Sequence, residues 1–444
     1  MQGQGAGRRA AAWIGVYLLL VVAPLAVLLL GEMPPGREFW WDFSMALGFA
    51  GIAMLGVQFA LTSRYKRASS PFGIDIIYLF HRYLAIIAVL LVLSHFGILW
   101  LWYEEDLGQL DPREARWELT VARLALVLFV LLIVTSEWRK LLRIEYRLWR
   151  FAHVILATIG FAAAVAHIVG VGYYTAAPAK RVLWLSVTLF WVLLVVWTRV
   201  VKPWRVQRRP YRVTEVRPER NDAWTLAIEP AGHPGLERFM PGQFAWLTLR
   251  GSPFGLREHP FSIASAPEDL PRIEFGIKEL GDFTGSLGTV EVGDVAYLDA
   301  PYGVFSIDRY PDAPGFAGIV GGIGVTPMMS MLRSMAARGD KRPVWLFYGN
   351  KDWDDITYRE EIDALRTRLD LRLVHILEEP PEDWQGEKGV VTKELLERHL
   401  PADLRARMHY FLCGPTPMTS AAEDALRSLG VPADRIQTEV FELV

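Results

Sequence analysis

The chain has 444 residues, enough for two or three domains, and 52% of them are hydrophobic, an excess for a water-soluble protein. A net charge of −2 gives no case for a nucleic-acid partner. The single cysteine, Cys413, excludes an intrachain disulfide and any iron–sulfur or zinc site built on several cysteines.

Six apolar stretches, 12–30, 43–61, 76–100, 121–134, 151–171 and 182–200, are candidates to span a bilayer. The fourth is the shortest. The first follows Arg8 and Arg9, as a signal peptide would, but its run is long and no small-residue cleavage site follows, so it is read as a retained helix. Basic residues crowd the amino end, the second loop (Arg64, Lys66, Arg67), the fourth loop (Arg139, Lys140, Arg143, Arg147, Arg150) and the exit from the last span (Arg199, Lys202, Arg205, Arg208, Arg209). The alternate loops carry Glu104, Glu105, Asp106 and Asp111, or few charges. This bias predicts a multi-pass protein of the inner membrane with both termini cytoplasmic. Trp40, Trp41, Trp100, Trp102 and Trp149 fall at span ends, as interfacial anchors do.

Two histidine pairs stand out in these stretches: His81 and His95 in the third, His153 and His167 in the fifth. In each pair the spacing brings both rings to one helix face, about 21 Å apart along the axis. Both spans run outward, so His81 and His153 share the cytoplasmic side and His95 and His167 the outer side. Ionisable groups inside a membrane are costly and by default functional. The pattern suits two stacked haems, each held by one imidazole from each helix; the alternative is a buried polar network in a transporter bundle. Arg82 and Arg123 are candidates to pair with haem propionates, or else to reach for the interface.

From Tyr211 the pattern changes. Short β-prone runs at 211–216, 224–228, 244–249, 261–264, 272–277 and 295–298, separated by Gly/Pro-rich turns, predict an antiparallel barrel or sandwich. After Pro314, strands alternate with helices: strands at 316–320, 344–348, 371–377 and 410–413, helices at 327–338, 358–368, 392–399 and 417–429. This predicts an open parallel α/β sheet able to bind a nucleotide. The expected domains are 1–205, 206–312 and 313–444.

Gly321-Gly322-Ile323-Gly324-Val325-Thr326-Pro327 follows a strand and opens a helix, a place where backbone can approach a pyrophosphate. Its spacing departs from GxGxxG. His259-Pro260-Phe261-Ser262 offers an aromatic ring to pack on a flavin and a small hydroxyl to bond it. Gly281-Asp282-Phe283-Thr284 offers a glycine turn and a hydroxyl for a diphosphate, and Lys278 joins this cofactor-binding set. Cys413-Gly414-Pro415 ends a strand where the ligand crevice of such a sheet lies, which could bring the thiol near a nicotinamide. Phe441 could cover the flavin face until nicotinamide displaces it. Asn350, Lys351 and Arg359 suit a 2′-phosphate and favour NADPH; Asp352, Asp354 and Asp355 keep NADH open.

Taken together, these motifs resemble the NADPH oxidase and ferric reductase superfamily: a six-helix haem b domain joined to a ferredoxin–NADP reductase-type flavoprotein module. The resemblance covers nearly the whole chain, from about Phe43 onward. It implies two haems ligated by His81, His95, His153 and His167, FAD at His259–Ser262 and Gly281–Thr284, nucleotide at Gly321–Pro327 and Cys413–Pro415, and Phe441 stacked on the flavin. Animal superoxide-producing members carry a further histidine one helical turn after the outer ligand of the third helix; here Leu99 stands there. No calcium-binding extension and no basic docking tail is seen, so the chain resembles compact bacterial members that need no protein activator.

The function expected is electron transfer from cytosolic NADPH through FAD and two haems to an acceptor outside, foremost oxygen giving superoxide. A ferric chelate or a periplasmic redox protein are the competing acceptors. A six-span transporter with a nucleotide-sensing module is the competitor without electron transfer.

Overall fold

The structure, a computed structural model, describes residues 2–31, 34–63, 74–255 and 257–440. Arg64, Lys66, Arg67 and Phe441, singled out above, lie outside the described residues. The chain forms two compact units, Met1–Pro203 and Trp204–Val444.

The first unit is helical. α1 (Gln2–Leu28), α2 (Phe39–Leu61) and α3 (Ile74–Trp102) lead to a single turn, α4 (Glu104–Leu107). Then come α5 (Trp117–Glu137), α6 (Tyr146–Val171) and α7 (Pro178–Val196), which runs on through a π-helical turn into α8 (Lys202–Gln207). Six helices, counting α7 and α8 together, are long and apolar enough to cross a membrane. α5 departs most from expectation: it has 21 residues, against the apolar run 121–134. Glu118 and Glu137 flank that run in sequence, and Arg123 lies within it. The fold satisfies each of them, Glu118 by Arg116, Arg123 by the Leu107 and Gln109 carbonyls, and Glu137 by Arg82.

α2 packs closely on α3, and α5 on α6. A Cβ at Gly51 would lie 2.8 Å from the Ala88 carbonyl of α3, so only glycine permits this approach. Ile52, Val57, Phe129, Phe161, Trp184 and Trp191 fill the interior of the bundle. Leu90, Leu131, Leu189 and Leu193 face outward. Such exposure is unfavourable in water and neutral in lipid.

In the second unit, β1 (Pro210–Pro218), β2 (Ala223–Pro230), β3 (Phe244–Leu249), β4 (His259–Ser262), β5 (Ile273–Lys278) and β6 (Val295–Tyr302) pair antiparallel in the order β4-β3-β6-β1-β2-β5. A bridge from Ile263, just past β4, to Phe275 of β5 joins the two edges into a barrel. Leu226, Ile228, Leu247, Ile263 and Phe275 fill its core.

The rest of this unit alternates strand and helix: β7 (Phe316–Gly321), α9 (Thr326–Arg338), β8 (Val344–Asn350), α10 (Arg359–Leu365), β9 (Leu371–Leu377), the two-residue β10 (Glu387–Lys388), α11 (Lys393–His399), β11 (His409–Gly414), α12 (Thr416–Ser428) and β12 (Ile436–Val440). All six strands are parallel, in the order β10-β9-β8-β7-β11-β12. The winding therefore reverses between β7 and β11, and ligands of such sheets bind at the carboxyl ends of the strands at that reversal. α10 is shorter than the helical pattern 358–368 because Tyr358 has φ of 59° and stands outside the helix. The architecture expected from sequence is present: a six-helix membrane bundle, an antiparallel barrel and a parallel α/β sheet.

Barrel and sheet share a polar contact through α9. Ser330 Oγ donates to the Ser265 carbonyl at 2.7 Å. Arg333 makes a bidentate pair with Glu361 (2.6 and 2.7 Å) and reaches Glu274 and the Ala264 carbonyl, both at 3.0 Å.

Candidate functional site

The structure brings His81 of α3 and His153 of α6 together edge to face, with ring centroids 6.2 Å apart and planes at 66°. Two metal–imidazole bonds of about 2 Å, plus about 1 Å from each nitrogen to its ring centre, sum to roughly 6 Å. The pair thus fits a single iron between two imidazoles. His95 and His167 are near enough to interact electrostatically. Among the described residues no cluster of three or more His, Cys, Asp or Glu side chains could hold a metal, and a two-imidazole haem site needs none.

Three of the four rings have Nδ1 already engaged. His95 Nδ1 lies 2.9 Å from the Ser44 carbonyl, His167 Nδ1 3.0 Å from the Glu118 carbonyl, and His153 Nδ1 3.2 Å from Ser136 Oγ. That leaves Nε2 as the donor atom, and a metal-ligating histidine is held by its other nitrogen in this way. Ser44, Ser136 and Glu118 were not singled out from sequence. Gly48 also orients His95, since a Cβ there would come within 3.1 Å of the ring.

The two arginines are otherwise engaged. Arg82 makes a bidentate pair with Glu137, at 3.0 and 2.6 Å. Arg123 donates to the Gln109 and Leu107 carbonyls, both at 2.7 Å, and ties down the loop before α5. These are the contacts that each guanidinium makes within the protein; a role toward haem propionates belongs to the proposal below.

On the barrel, His259 and Phe261 of β4 share a ring stack with Phe283. His259 and Phe283 are 3.9 Å apart at 18°, and Phe261 and Phe283 6.0 Å apart at 19°. Pro260 lies between the two β4 rings in sequence and pairs across the sheet with Trp246. Ser262 Oγ is buried without a hydrogen-bond partner, an atom that a bound ring acceptor or donor would satisfy. The hydroxyl of Thr284 accepts from the Leu280 and Gly281 amides and donates to the Gly281 carbonyl, which closes the glycine turn. Gly281 and Asp282 are exposed beside it. Lys278 closes β5 and donates to Asn221 Oδ1 at 2.6 Å.

Gly321, Asn350 and Gly414 end β7, β8 and β11 and so share one edge of the sheet. A 3-10 turn, Gly322–Val325, intervenes before α9 starts at Thr326 and Pro327, so the glycine motif is a turn and not yet helix. Gly322 has φ of 51°. Thr326 Oγ1 donates to the Ile323 carbonyl at 2.8 Å. The barrel presses on this place: a Cβ at Gly276 of β5 would lie 2.4 Å from the Tyr358 hydroxyl and 2.9 Å from Thr326 Oγ1. Neither Gly276 nor Tyr358 was singled out from sequence.

Cys413 is wholly buried in the core with Val320, Val325 and Phe411, and Pro415 starts the turn into α12. Burial, with Glu439 second, pushes the Cys413 thiol well above its usual range, so it stays protonated. Asn350 is buried at the end of β8, whereas Lys351 is exposed and 3.6 Å from Glu379. Arg359 donates to the Trp353 carbonyl and lies against Glu360 and Asp354. The basic neighbourhood expected for a 2′-phosphate is therefore largely balanced by acids, and Lys351 is its one exposed member.

Residues 319–424 match the oxidoreductase NAD-binding domain, and residues 47–166 match the ferric reductase like transmembrane component. Ferredoxin–NADP reductase B of Sorangium cellulosum is 31% identical over 246 residues, covering 53% of this chain and 100% of that protein. The chain belongs to the ferredoxin–NADP reductase family by that module, and its helices carry the match to the ferric reductase like transmembrane component. The chain thus joins six helices long and apolar enough to cross a membrane to an oxidoreductase NAD-binding domain. It is also similar to the reductase component of propane 2-monooxygenase from Mycolicibacterium goodii, 34% identical over 239 residues, covering 52% of this chain and 66% of that component. Among solved structures, the ferredoxin reductase in carbazole 1,9a-dioxygenase has 27% identity and a TM-score of 0.46, covering 52% of this chain and 69% of that one. The transmembrane match contains His81, His95 and His153 and stops one residue short of His167.

Proposed function

We propose that this oxidoreductase carries electrons from cytosolic NADPH, through FAD and two b-type haems, to oxygen on the outer side of the inner membrane. Both termini then face the cytoplasm, consistent with the Lys/Arg bias. The balance is one NADPH and two O₂ giving NADP⁺, one proton and two superoxide ions. FAD, when bound, takes a hydride and releases single electrons, and haem iron carries one electron at a time. The observation that carries the proposal is the facing pair His81 and His153 at 6.2 Å, joined to the engagement of Nδ1 on three of the four histidines.

The chain's own residues divide the remaining tasks. The glycine turn Gly321–Gly324 and Gly414 let backbone approach the nucleotide, and the amino end of α9 favours its negative charge. Phe261 and Ser262 offer a ring face and a hydroxyl to the flavin, with His259, Pro260 and Phe283 behind them, and the Gly281–Thr284 turn offers its backbone. Phe441, outside the described residues, completes this assignment as the terminal ring over the flavin. His81 with His153, and His95 with His167, would each hold one haem iron, which would supply one-electron transfer toward the acceptor. The assignment of haem to 1–205, FAD to 206–312 and NAD(P)H to 313–444 belongs to the same proposal, as do a role for Arg82 and Arg123 toward haem propionates and independence from a protein activator.

A ferric chelate is the second acceptor, favoured by the match to the ferric reductase like component. NADPH-driven, superoxide-dismutase-sensitive cytochrome c reduction against ferric-chelate reduction, on purified protein, separates the two. His153→Ala and His167→Ala are each expected to lose one haem per chain and abolish both reactions; full transmembrane reduction in either variant sinks the proposal.

A further inference from the structure

Three of the four imidazoles take their Nδ1 contact from the helix packed against their own. His95 of α3 meets Ser44 of α2, and His153 and His167 of α6 meet Ser136 and Glu118 of α5. His81 is the exception: its Nδ1 is buried without a partner. A buried donor left unpaired is costly, so its acceptor is to be sought on the facing helix, α2.

The register of α2 on α3 points to one residue. The two helices run antiparallel, and Ser44 opposite His95 forms one rung. Gly51, seven residues further along α2, stands against Ala88, seven residues back along α3: a Cβ at Gly51 would lie 2.8 Å from the Ala88 carbonyl oxygen. A step of seven residues falls within about 20° of two whole turns, so each step keeps to one face of its helix. The next step of seven sets Gln58 opposite His81. Gln58 is 7% exposed, and its Oε1 is buried without a partner. Its Nε2 donates to the Met54 carbonyl of its own helix at 3.3 Å.

One rung therefore holds a donor without an acceptor and an acceptor without a donor. We infer that Gln58 is the positioning residue for His81: when haem binds, His81 Nδ1–H donates to Gln58 Oε1 and Nε2 is left for the iron. The inference rests on the two-haem function proposed above. The two atoms are unbonded in the structure, and iron at Nε2 is what fixes the tautomer that carries hydrogen on Nδ1. Gln58 then does with a side-chain amide what Ser44 does for His95 with its backbone carbonyl.

The test is haemin binding by the purified full-length protein in two backgrounds that keep one site each. His95→Ala leaves the site of His81 and His153; His153→Ala leaves the site of His95 and His167. In the first background Gln58→Met keeps the bulk, removes the acceptor and is expected to weaken haemin binding about tenfold or more. Gln58→Glu keeps an acceptor oxygen and is expected to restore most of it. The low-spin electron paramagnetic resonance signal of the ferric haem reports ring orientation, and should shift with methionine and return with glutamate. In the second background Gln58→Met is expected to leave haemin binding unchanged, which also shows that the bundle has folded. Unaltered binding by Gln58→Met in the first background, a loss that Gln58→Glu does not restore, or an equal loss in both backgrounds overturns the inference. A parent protein that takes up no haemin removes the two-haem reading, and this inference with it.

Discussion

Gly324 lies against the backbone of Cys413: a Cβ at position 324 would stand 2.3 Å from the Cys413 carbonyl oxygen. The glycine turn after β7 and the end of β11 are thereby held together at the reversal of the sheet. Gly324→Ala must force these segments apart, and overpacking of this kind costs about 1–3 kcal/mol. The expected outcome is a loss of about tenfold or more in kcat/KM for NAD(P)H, with haem content unchanged. Unaltered steady-state kinetics would show that the close approach is irrelevant to nucleotide binding.

Arg333 is a buried electrostatic tie between barrel and sheet. Its side chain is 13% exposed and serves Glu361, Glu274 and the Ala264 carbonyl. Arg333→Ala leaves Glu361 without its cation, while Glu274 keeps Arg272, a loss of about 3 kcal/mol, the low end of the range because Glu361 is partly solvated. Thermal unfolding of the full-length protein is expected to fall by several degrees. Arg333→Lys should recover only part of it, since an ammonium cannot reproduce the fork. Full recovery by lysine would reduce the tie to simple charge.

Two histidines of the second unit carry an acid sensitivity. Burial, reinforced by Arg435, pushes His409 down to about 4; burial also pushes His375 down to about 4. Their unfolded counterparts titrate near about 6.5. Between these values the unfolded chain binds more protons than the folded one, so stability is complete above about 6.5 and is lost as pH falls toward about 4. Melting is expected at lower temperature at about pH 5 than at about pH 7. His409→Phe should narrow the gap while keeping the stack on Tyr310, now 3.8 Å between centroids. An identical gap in protein and variant would mean that His409 contributes nothing to it.

Lys351 is exposed and its pair with Glu379 is long, an arrangement worth little to stability. It can therefore turn to a 2′-phosphate. Lys351→Ala is expected to lower kcat/KM for NADPH several-fold and to leave NADH unchanged. Equal losses with both nucleotides would end the preference for NADPH.

The histidine quartet was legible because imidazoles contrast with the apolar runs that carry them. Their supports were not. A serine in a membrane helix most often bonds within its own helix, so nothing marks Ser44 or Ser136 in the sequence. The Glu118 contact uses a backbone carbonyl, which every residue possesses. Strands and helices of the second unit were legible from periodicity, but the meeting of Gly276 with Tyr358 joins distant parts of the chain and needs the fold. The ends of α5 were misjudged because Glu118 and Glu137 read as breaks until their partners are seen.

α2 presents Gly48 to the His95 ring and Gly51 to the backbone of α3 on neighbouring turns. The tilt of that imidazole is consequently slaved to the distance between two helices. Any bulk added along this stripe would pry them apart and swing the ring off Ser44, so, with the proposed haem bound, visible absorption would register a change in helix spacing well before the bundle came undone.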